Sequence, residues 1–260
     1  MPELPEVETF KNYLDSTSLN KVIKTIKIRD VRVLNVPETE LKRELINKKF
    51  ICSIRHGKYL FVKINPKFLV LHFGMSGYLE SFNSVNEEPT HSRIRFKFSD
   101  GTFLSYVSQR MFGRVDICDS IQNYIKKKKL GPDALNMNYE EFLGTRKRRT
   151  TISKTFLMNQ NIIAGIGNIY SDEILYQSKI NPKTKIHELD EKKLNNLFNN
   201  IKEILKYGIE KKGNLETYSN KLLIPHRQEG EICPICGNKI ERYEISGRHG
   251  FFCSNCQKID

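Results

Sequence analysis

Four of the six cysteines stand in two pairs, Cys233-Pro-Ile-Cys236 and Cys253-Ser-Asn-Cys256, with 16 residues between the pairs. Each pair turns tightly enough to offer two thiolates to the other. Four thiolates at this spacing match a tetrahedral site for one structural zinc ion, so the chain is expected to close as a zinc ribbon. A disulfide framework is the alternative reading. No secretory signal precedes Pro2, which points to a reducing compartment and against disulfides. Cys52 and Cys118 lie alone in apolar segments and are expected as buried thiols.

The 260 residues are long enough for two domains with real cores. Lys and Arg number 43 against 30 acids, a net charge of +13 with a pI near 9.4. An imbalance of this kind fits a polyanion binder, nucleic acid above all, although a lysine-rich background would also produce it. No apolar run approaches the length of a membrane span.

Along the chain, Val7, Phe10, Tyr13 and Leu14 fall on one helical face. Alternation from Val22 to Leu34 predicts a half-buried strand, with further strands over 49–55, 58–64 and 68–73. Ser99-Asp100-Gly101 separates two alternating runs and predicts a hairpin. The first ~110 residues are thus β-rich behind a leading helix, which suggests a two-sheet sandwich. Lys126–Lys129 followed by Gly131-Pro132 marks a domain boundary, beyond which helical periodicity takes over. Helices are expected over roughly 139–211, with Asp190 as an N-cap of the segment carrying Leu194, Leu197, Ile201 and Leu205. The expected class is α+β, parsed as residues 1–125, 126–220 and 221–260.

Several short segments offer chemistry. If Met1 is removed, Pro2 becomes a secondary amine able to attack an electrophilic carbon and form an iminium. An α-amino group titrates near ~8 rather than the ~10.4 of lysine, so part of it is nucleophilic at neutral pH. Glu3 stands beside it as a proton carrier. A plain helix start explains the same residues. Gly165-Ile-Gly167-Asn168 between two helical segments reads either as a phosphate-binding helix N-terminus or as a tight packing corner. Lys58 precedes an apolar strand, while Met75, Arg110 and Phe112 lie in glycine-flanked turns that suit wedges into a base stack or simple core filling.

Taken together, the opening Pro-Glu-Leu-Pro-Glu-Val-Glu, Arg55-His-Gly-Lys58-Tyr-Leu, His72-Phe-Gly-Met75-Ser-Gly77, Arg110-Met-Phe112-Gly113, Gly165-Ile-Gly-Asn168-Ile-Tyr and the closing cysteines appear in one order. This combination resembles the formamidopyrimidine-DNA glycosylase family over essentially the full length. The resemblance implies an N-terminal β-sandwich, a helical helix-two-turn-helix domain and a zinc finger. It implies removal of oxidised purines from duplex DNA by a monomeric base-excision repair enzyme in a bacterial cytoplasm, at the nucleoid.

In that role Pro2 attacks C1′ of the sugar, Glu3 transfers protons, and the iminium permits β,δ-elimination that nicks the strand. The resemblance gives Lys58 a phosphate contact that assists catalysis. It makes Met75, Arg110 and Phe112 void fillers, with Arg110 pairing to the orphaned cytosine. His72, Lys154 and Asn168 join the DNA-binding set, and Arg248 grips phosphates flanking the lesion. Cys233, Cys236, Cys253 and Cys256 bind the zinc.

Three departures stand out. Met111 occupies a position that is often basic, and Ser108 replaces an acid. The segment from Gly213 to Cys233 is about ten residues shorter than in better-known members. A shortened segment there shifts the expected preference from 8-oxoguanine toward formamidopyrimidines or further-oxidised lesions. The competing expectations are a related glycosylase for oxidised pyrimidines and a non-catalytic zinc-ribbon DNA-binding protein.

Overall fold

The structure, a computed structural model, describes residues 1–147, 149–245 and 247–259. The chain divides into two compact units, residues 1–2 with 6–128 and residues 3–5 with 129–260.

The first unit is built on two four-stranded antiparallel sheets. Strands β1 (Ile23–Ile28), β2 (Ser53–His56), β3 (Tyr59–Lys63), β4 (Phe68–His72), β5 (Gly77–Phe82), β6 (Ser92–Phe98), β7 (Phe103–Ser108) and β8 (Arg114–Cys118) pair in the orders β1-β6-β7-β5 and β2-β3-β4-β8. Alternation drives this arrangement. Ile94, Phe96 and Phe98 of β6 point inward at 0–1% exposure, and the intervening Arg95 and Lys97 point out. Phe50 meets both Phe96 and Phe98 edge-on at 5.8 Å, and truncating such a ring to alanine costs about 3–5 kcal/mol. The predicted hairpin is present between β6 and β7, with Gly101 at φ +88° and the Asp100 carboxylate accepting from Thr102 N at 3.0 Å.

Three elements depart from the expectation. The strand predicted to run to Leu34 stops at Ile28, because the Asp30 side chain accepts from Arg32 N and bends the chain into a single 3-10 turn over Val31–Val33. Val31 is consequently 58% exposed while Val33 is buried. Helix α1 (Leu4–Ser18) was expected, but α2 (Glu38–Leu45) and α3 (Ile121–Lys127) were not. Each of those two is short and buries only two residues, Leu41 with Leu45 and Ile121 with Tyr124, too few to set a period. Cys52 and Cys118 are half-buried rather than buried.

In the second unit, α4 (Tyr139–Arg146), α5 (Ser153–Met158), α6 (Asn168–Gln177) and α7 (Glu191–Glu210) precede the hairpin β9 (Glu241–Ile245) and β10 (Arg248–Phe252). Asp190 caps α7 as expected, accepting from Lys193 N at 2.7 Å. Helix α7 buries one stripe, whereas α6 is buried on every side from Tyr170 to Tyr176. A helix enclosed all round must satisfy its polar residues internally. Glu173 does so by accepting from Gln177 Nε2 and Ile224 N, with burial pushing its carboxyl pKa up.

Candidate nucleic-acid interface and catalytic site

Strand register places five of the expected residues on one rim of the first unit. Tyr59 pairs with His72, His72 with Arg114, and Gly77 with Ser108. The loop 73–76 therefore crosses from one sheet to the other beside the loop 109–113, which crosses back. The turn bearing Lys58 sits at the same end of β3. Gly74 has φ +60°, and a Cβ there would run into the backbone of Phe112 and Gly113. Only glycine lets the two loops touch. Tyr106 Oη donates to His72 O at 2.8 Å, and Arg114 Nη1 donates to the carbonyls of Met111 and Gly113 at 2.9 and 2.7 Å.

The loop backbones are thus pinned while their tips face solvent. Met75 is 40% exposed and Phe112 56%, and the Arg110 guanidinium lies 5.9 Å from the Phe112 ring. These are the tips predicted as wedges, and core filling is excluded for them. The His72 ring packs against that of Tyr59, with centroids 4.7 Å apart and the planes tilted by 38°. Burial, with Lys58, Lys128 and Arg114 nearby, pushes its pKa down to about 4, so the ring is neutral at pH 7. It offers a hydrogen bond rather than a charge.

Two polar positions, His91 and Arg93, escaped the sequence reading. Exposed His91 accepts from Ser108 N through its carbonyl, and Arg93 donates to Ser108 O at 2.8 Å and Gln109 O at 3.4 Å. Both flank the Arg110 loop. Their signal was faint, a single histidine and an arginine at the start of an ordinary alternating strand.

In the second unit the first turn of α6 differs from the expectation. Two of the N–H groups at its start, those of Gly167 and Ile169, are not free for phosphate. Glu3, 2% exposed, fills the place of the anion, with Oε2 accepting from Gly167 N at 2.5 Å and Oε1 from Ile169 N at 2.9 Å. Any side chain at Gly167 would collide with that carboxylate. The paired glycines serve a close approach, Gly165 to Leu4 and Gly167 to Glu3, the residue bonded to Pro2. Pro2 itself is half-buried, and Met1 ahead of it is 47% exposed. Asn168 Nδ2 donates to His249 O at 2.8 Å, while its buried Oδ1 has no partner among the described residues.

Lys154 also needs correction. Expected to contact DNA, it is 1% exposed, and its ammonium donates to Asn168 O, Ser171 Oγ and Asp172 Oδ1 at 2.8, 2.7 and 2.6 Å. Burial lowers its pKa and Asp172 opposes that shift. It secures the first turn of α6 from inside. Arg248, by contrast, begins β10 at the exposed tip of the hairpin.

The four paired cysteines converge with all Sγ atoms within 4.8 Å of one another. Cys233–Cys256 and Cys236–Cys253 are 3.8 and 3.5 Å apart. A tetrahedron with zinc–sulfur bonds of ~2.3 Å has edges of about 3.8 Å, so the thiolates fit zinc, and they are too far apart for disulfides. Tyr176 of α6 lies with its hydroxyl 3.0 Å from Cys233 Sγ, and against a metal-bound thiolate the hydroxyl donates. Tyr176→Phe is expected to lower zinc affinity about tenfold in competition with a chromophoric chelator. Unchanged affinity would show that the hydroxyl does not tune the site.

Three family models match successive parts of the chain. Residues 1–115 match the formamidopyrimidine-DNA glycosylase N-terminal domain, 130–219 the formamidopyrimidine-DNA glycosylase H2TH domain, and 230–259 the zinc finger found in FPG and IleRS. The formamidopyrimidine-DNA glycosylase of Mycoplasma genitalium is 35% identical over 276 aligned positions, covering 100% of this chain and 96% of that protein. That of Lactobacillus delbrueckii subsp. bulgaricus is 34% identical, with 99% and 100% covered. Among solved structures, Lactococcus lactis Fpg in complex with abasic-site DNA superposes with a TM-score of 0.89 at 29% identity. The same protein with Fapy-dG DNA gives 0.90 at 30%, and both comparisons cover 99% of this chain and 100% of the other. Similar along its whole length to curated relatives, the chain belongs to the formamidopyrimidine-DNA glycosylase family.

Proposed function

We propose that the protein is a base-excision repair DNA glycosylase and abasic-site lyase, removing oxidised purines from duplex DNA and nicking the strand. The observation that carries this reading is the anchoring of Glu3 by the backbone N–H groups of Gly167, just ahead of α6, and of Ile169 in its first turn, which fixes a carboxylate on the residue bonded to Pro2. Once Met1 is gone, the Pro2 nitrogen attacks C1′ and the glycosidic C–N bond breaks, its electron pair leaving with the base. Glu3 takes the proton that the Pro2 nitrogen loses on bonding to C1′ and gives it to O4′ as the C1′–O4′ bond opens, leaving an iminium at C1′. Loss of a C2′ proton then expels the 3′ phosphate, and a second elimination expels the 5′ phosphate. Water hydrolyses the last imine and frees Pro2.

Extruding the damaged base costs a few kcal/mol of pairing and stacking. Met75 and Phe112 fill the gap, and Arg110 pairs with the base left behind. Lys58, neutral His72, Asn168 and Arg248 hold phosphates. Arg93 adds charge beside Arg110, in keeping with the net charge of +13. In this division residues 1–125 carry the wedges and the nucleophile, 126–220 the α6 anchor, and 221–260 the zinc-held finger. Among the described residues no helix is long and apolar enough to cross a membrane. Such an enzyme acts on chromosomal DNA in the cytoplasm, at the nucleoid.

The Mycoplasma genitalium alignment of 276 positions against 260 residues leaves at least 16 without a counterpart here. The Gly213–Cys233 segment is compact, with 3-10 turns at Leu215–Thr217 and Ile224–His226 tied to Glu173 and Tyr207. With less chain to close over a flipped 8-oxoguanine, the enzyme should excise a ring-opened formamidopyrimidine about tenfold faster, a difference of ~1.4 kcal/mol in barrier. Single-turnover excision from matched duplexes checks this. A faster rate on 8-oxoguanine would overturn the lesion order. Excision of oxidised pyrimidine alone would overturn the purine assignment.

A further inference from the structure

Asp172 is buried to 1% exposure, and neither the nucleophile nor the wedges account for it. Its Oδ1 accepts from Lys154 Nζ and Tyr243 Oη, each at 2.6 Å. Its Oδ2 accepts from Arg227 Nη2 at 2.7 Å, Arg227 Nε at 3.1 Å and Phe251 N at 3.2 Å. Five donors thus fill one carboxylate. They come from α5, from the segment ahead of the finger, and from both finger strands. The Arg227 guanidinium further lies 5.4 Å from the Phe251 ring.

The spacing makes this more than a buried ion pair. Asn168 and Asp172 are four residues apart on α6, a rise of about 6 Å. His249 and Phe251 are two residues apart on β10, a rise of about 6.6 Å. Asn168 holds the carbonyl of His249, and Asp172 holds the N–H of Phe251. One helical turn is therefore matched to one strand dipeptide, with Arg248 next to the upper contact. A slip of the strand by one residue would break both bonds and turn Arg248 to the opposite face. On the other side of the same carboxylate, Lys154 secures the carbonyl of Asn168 and the hydroxyl of Ser171. That is the turn whose N–H groups hold Glu3.

We propose that Asp172 is a positioning residue that sets the finger strand, with Arg248, and the first turn of α6, with Glu3, in one register. The proposal rests on the function given above and adds how its phosphate grip and proton carrier are aligned. The two arms are separable. Tyr243→Phe removes one donor on the finger side only. It should weaken binding to a duplex with an uncleavable abasic-site analogue about tenfold, leaving the single-turnover rate at saturating DNA unchanged. Lys154→Met acts on the α6 side and should lower that rate about tenfold with little change in affinity. Asp172→Asn removes the charge common to both and should impair both, with one zinc still bound per chain.

Parent protein that excises lesions while Asp172→Asn matches it within twofold in both measurements would overturn the positioning role and leave the function standing. A parent without excision would instead overturn the function. If Asp172→Asn fails to fold, the single-sided variants decide. Equal effects of Tyr243→Phe and Lys154→Met on affinity and rate would overturn the two-armed arrangement.

Discussion

Pro2→Gly is expected to lower the yield of borohydride-trapped protein on abasic-site duplex DNA by at least about a hundredfold. The argument starts from the ring nitrogen. A secondary amine condensing with C1′ gives an iminium that has no N–H to lose, so the intermediate stays cationic at neutral pH and remains an electron sink for both eliminations. Glycine offers a primary amine whose imine is largely neutral, and its φ is unrestrained, so the nitrogen no longer has one direction of approach. Covalent catalysis by an amine depends on both properties. Met1, 47% exposed, matters in the same way. While it is attached, the Pro2 nitrogen is an amide and has no lone pair to give. Protein retaining Met1 should show no adduct, and intact mass of the trapped species should show Met1 absent. Equal trapping by parent, Pro2→Gly and Met1-retaining protein would move the nucleophile elsewhere in the chain.

What could be read without coordinates was local. The cysteine pairs, the Asp190 cap and the Asp100-Gly101 hairpin are each written within a few residues, and all three are present. The exposed loop tips Met75 and Phe112 were legible only as glycine-flanked turns. Their adjacency comes from strand register, the pairing of His72 with Arg114 and Gly77 with Ser108. Long-range electrostatics was the least legible. The anion at the start of α6 is Glu3, 164 residues away from Gly167 in sequence, and no local pattern separates that partner from a phosphate. Lys154 shows the same limit from the other direction. A lysine in a basic stretch reads as a surface cation unless its burying partner is known, and Asp172 lies 18 residues on.

Glu3→Gln is the second substitution expected to act strongly, and Glu3's surroundings explain why it should do two things at once. The side chain is 2% exposed and both oxygens are engaged by backbone donors. Glutamine keeps the length but replaces one oxygen by an NH2, which turns a donor toward the N–H of Gly167 or of Ile169. One buried donor then goes unsatisfied, a loss of about 1–3 kcal/mol visible as a lower Tm. The second effect is chemical. Breaking the bond to a damaged base and opening the sugar ring both need a proton delivered near C1′, and glutamine has none to give. Excision from a lesion duplex should fall about 10²- to 10⁴-fold, the range that a positioned acid–base group contributes. A pre-formed abasic site already equilibrates with its open-chain aldehyde, so condensation with Pro2 needs less help there. Borohydride trapping on abasic DNA should accordingly fall far less than excision. Single-turnover rates on the two duplexes, measured at saturating protein, separate the cases. Equal losses on both would mean that Glu3 serves to hold the first turn of α6 and not to move a proton.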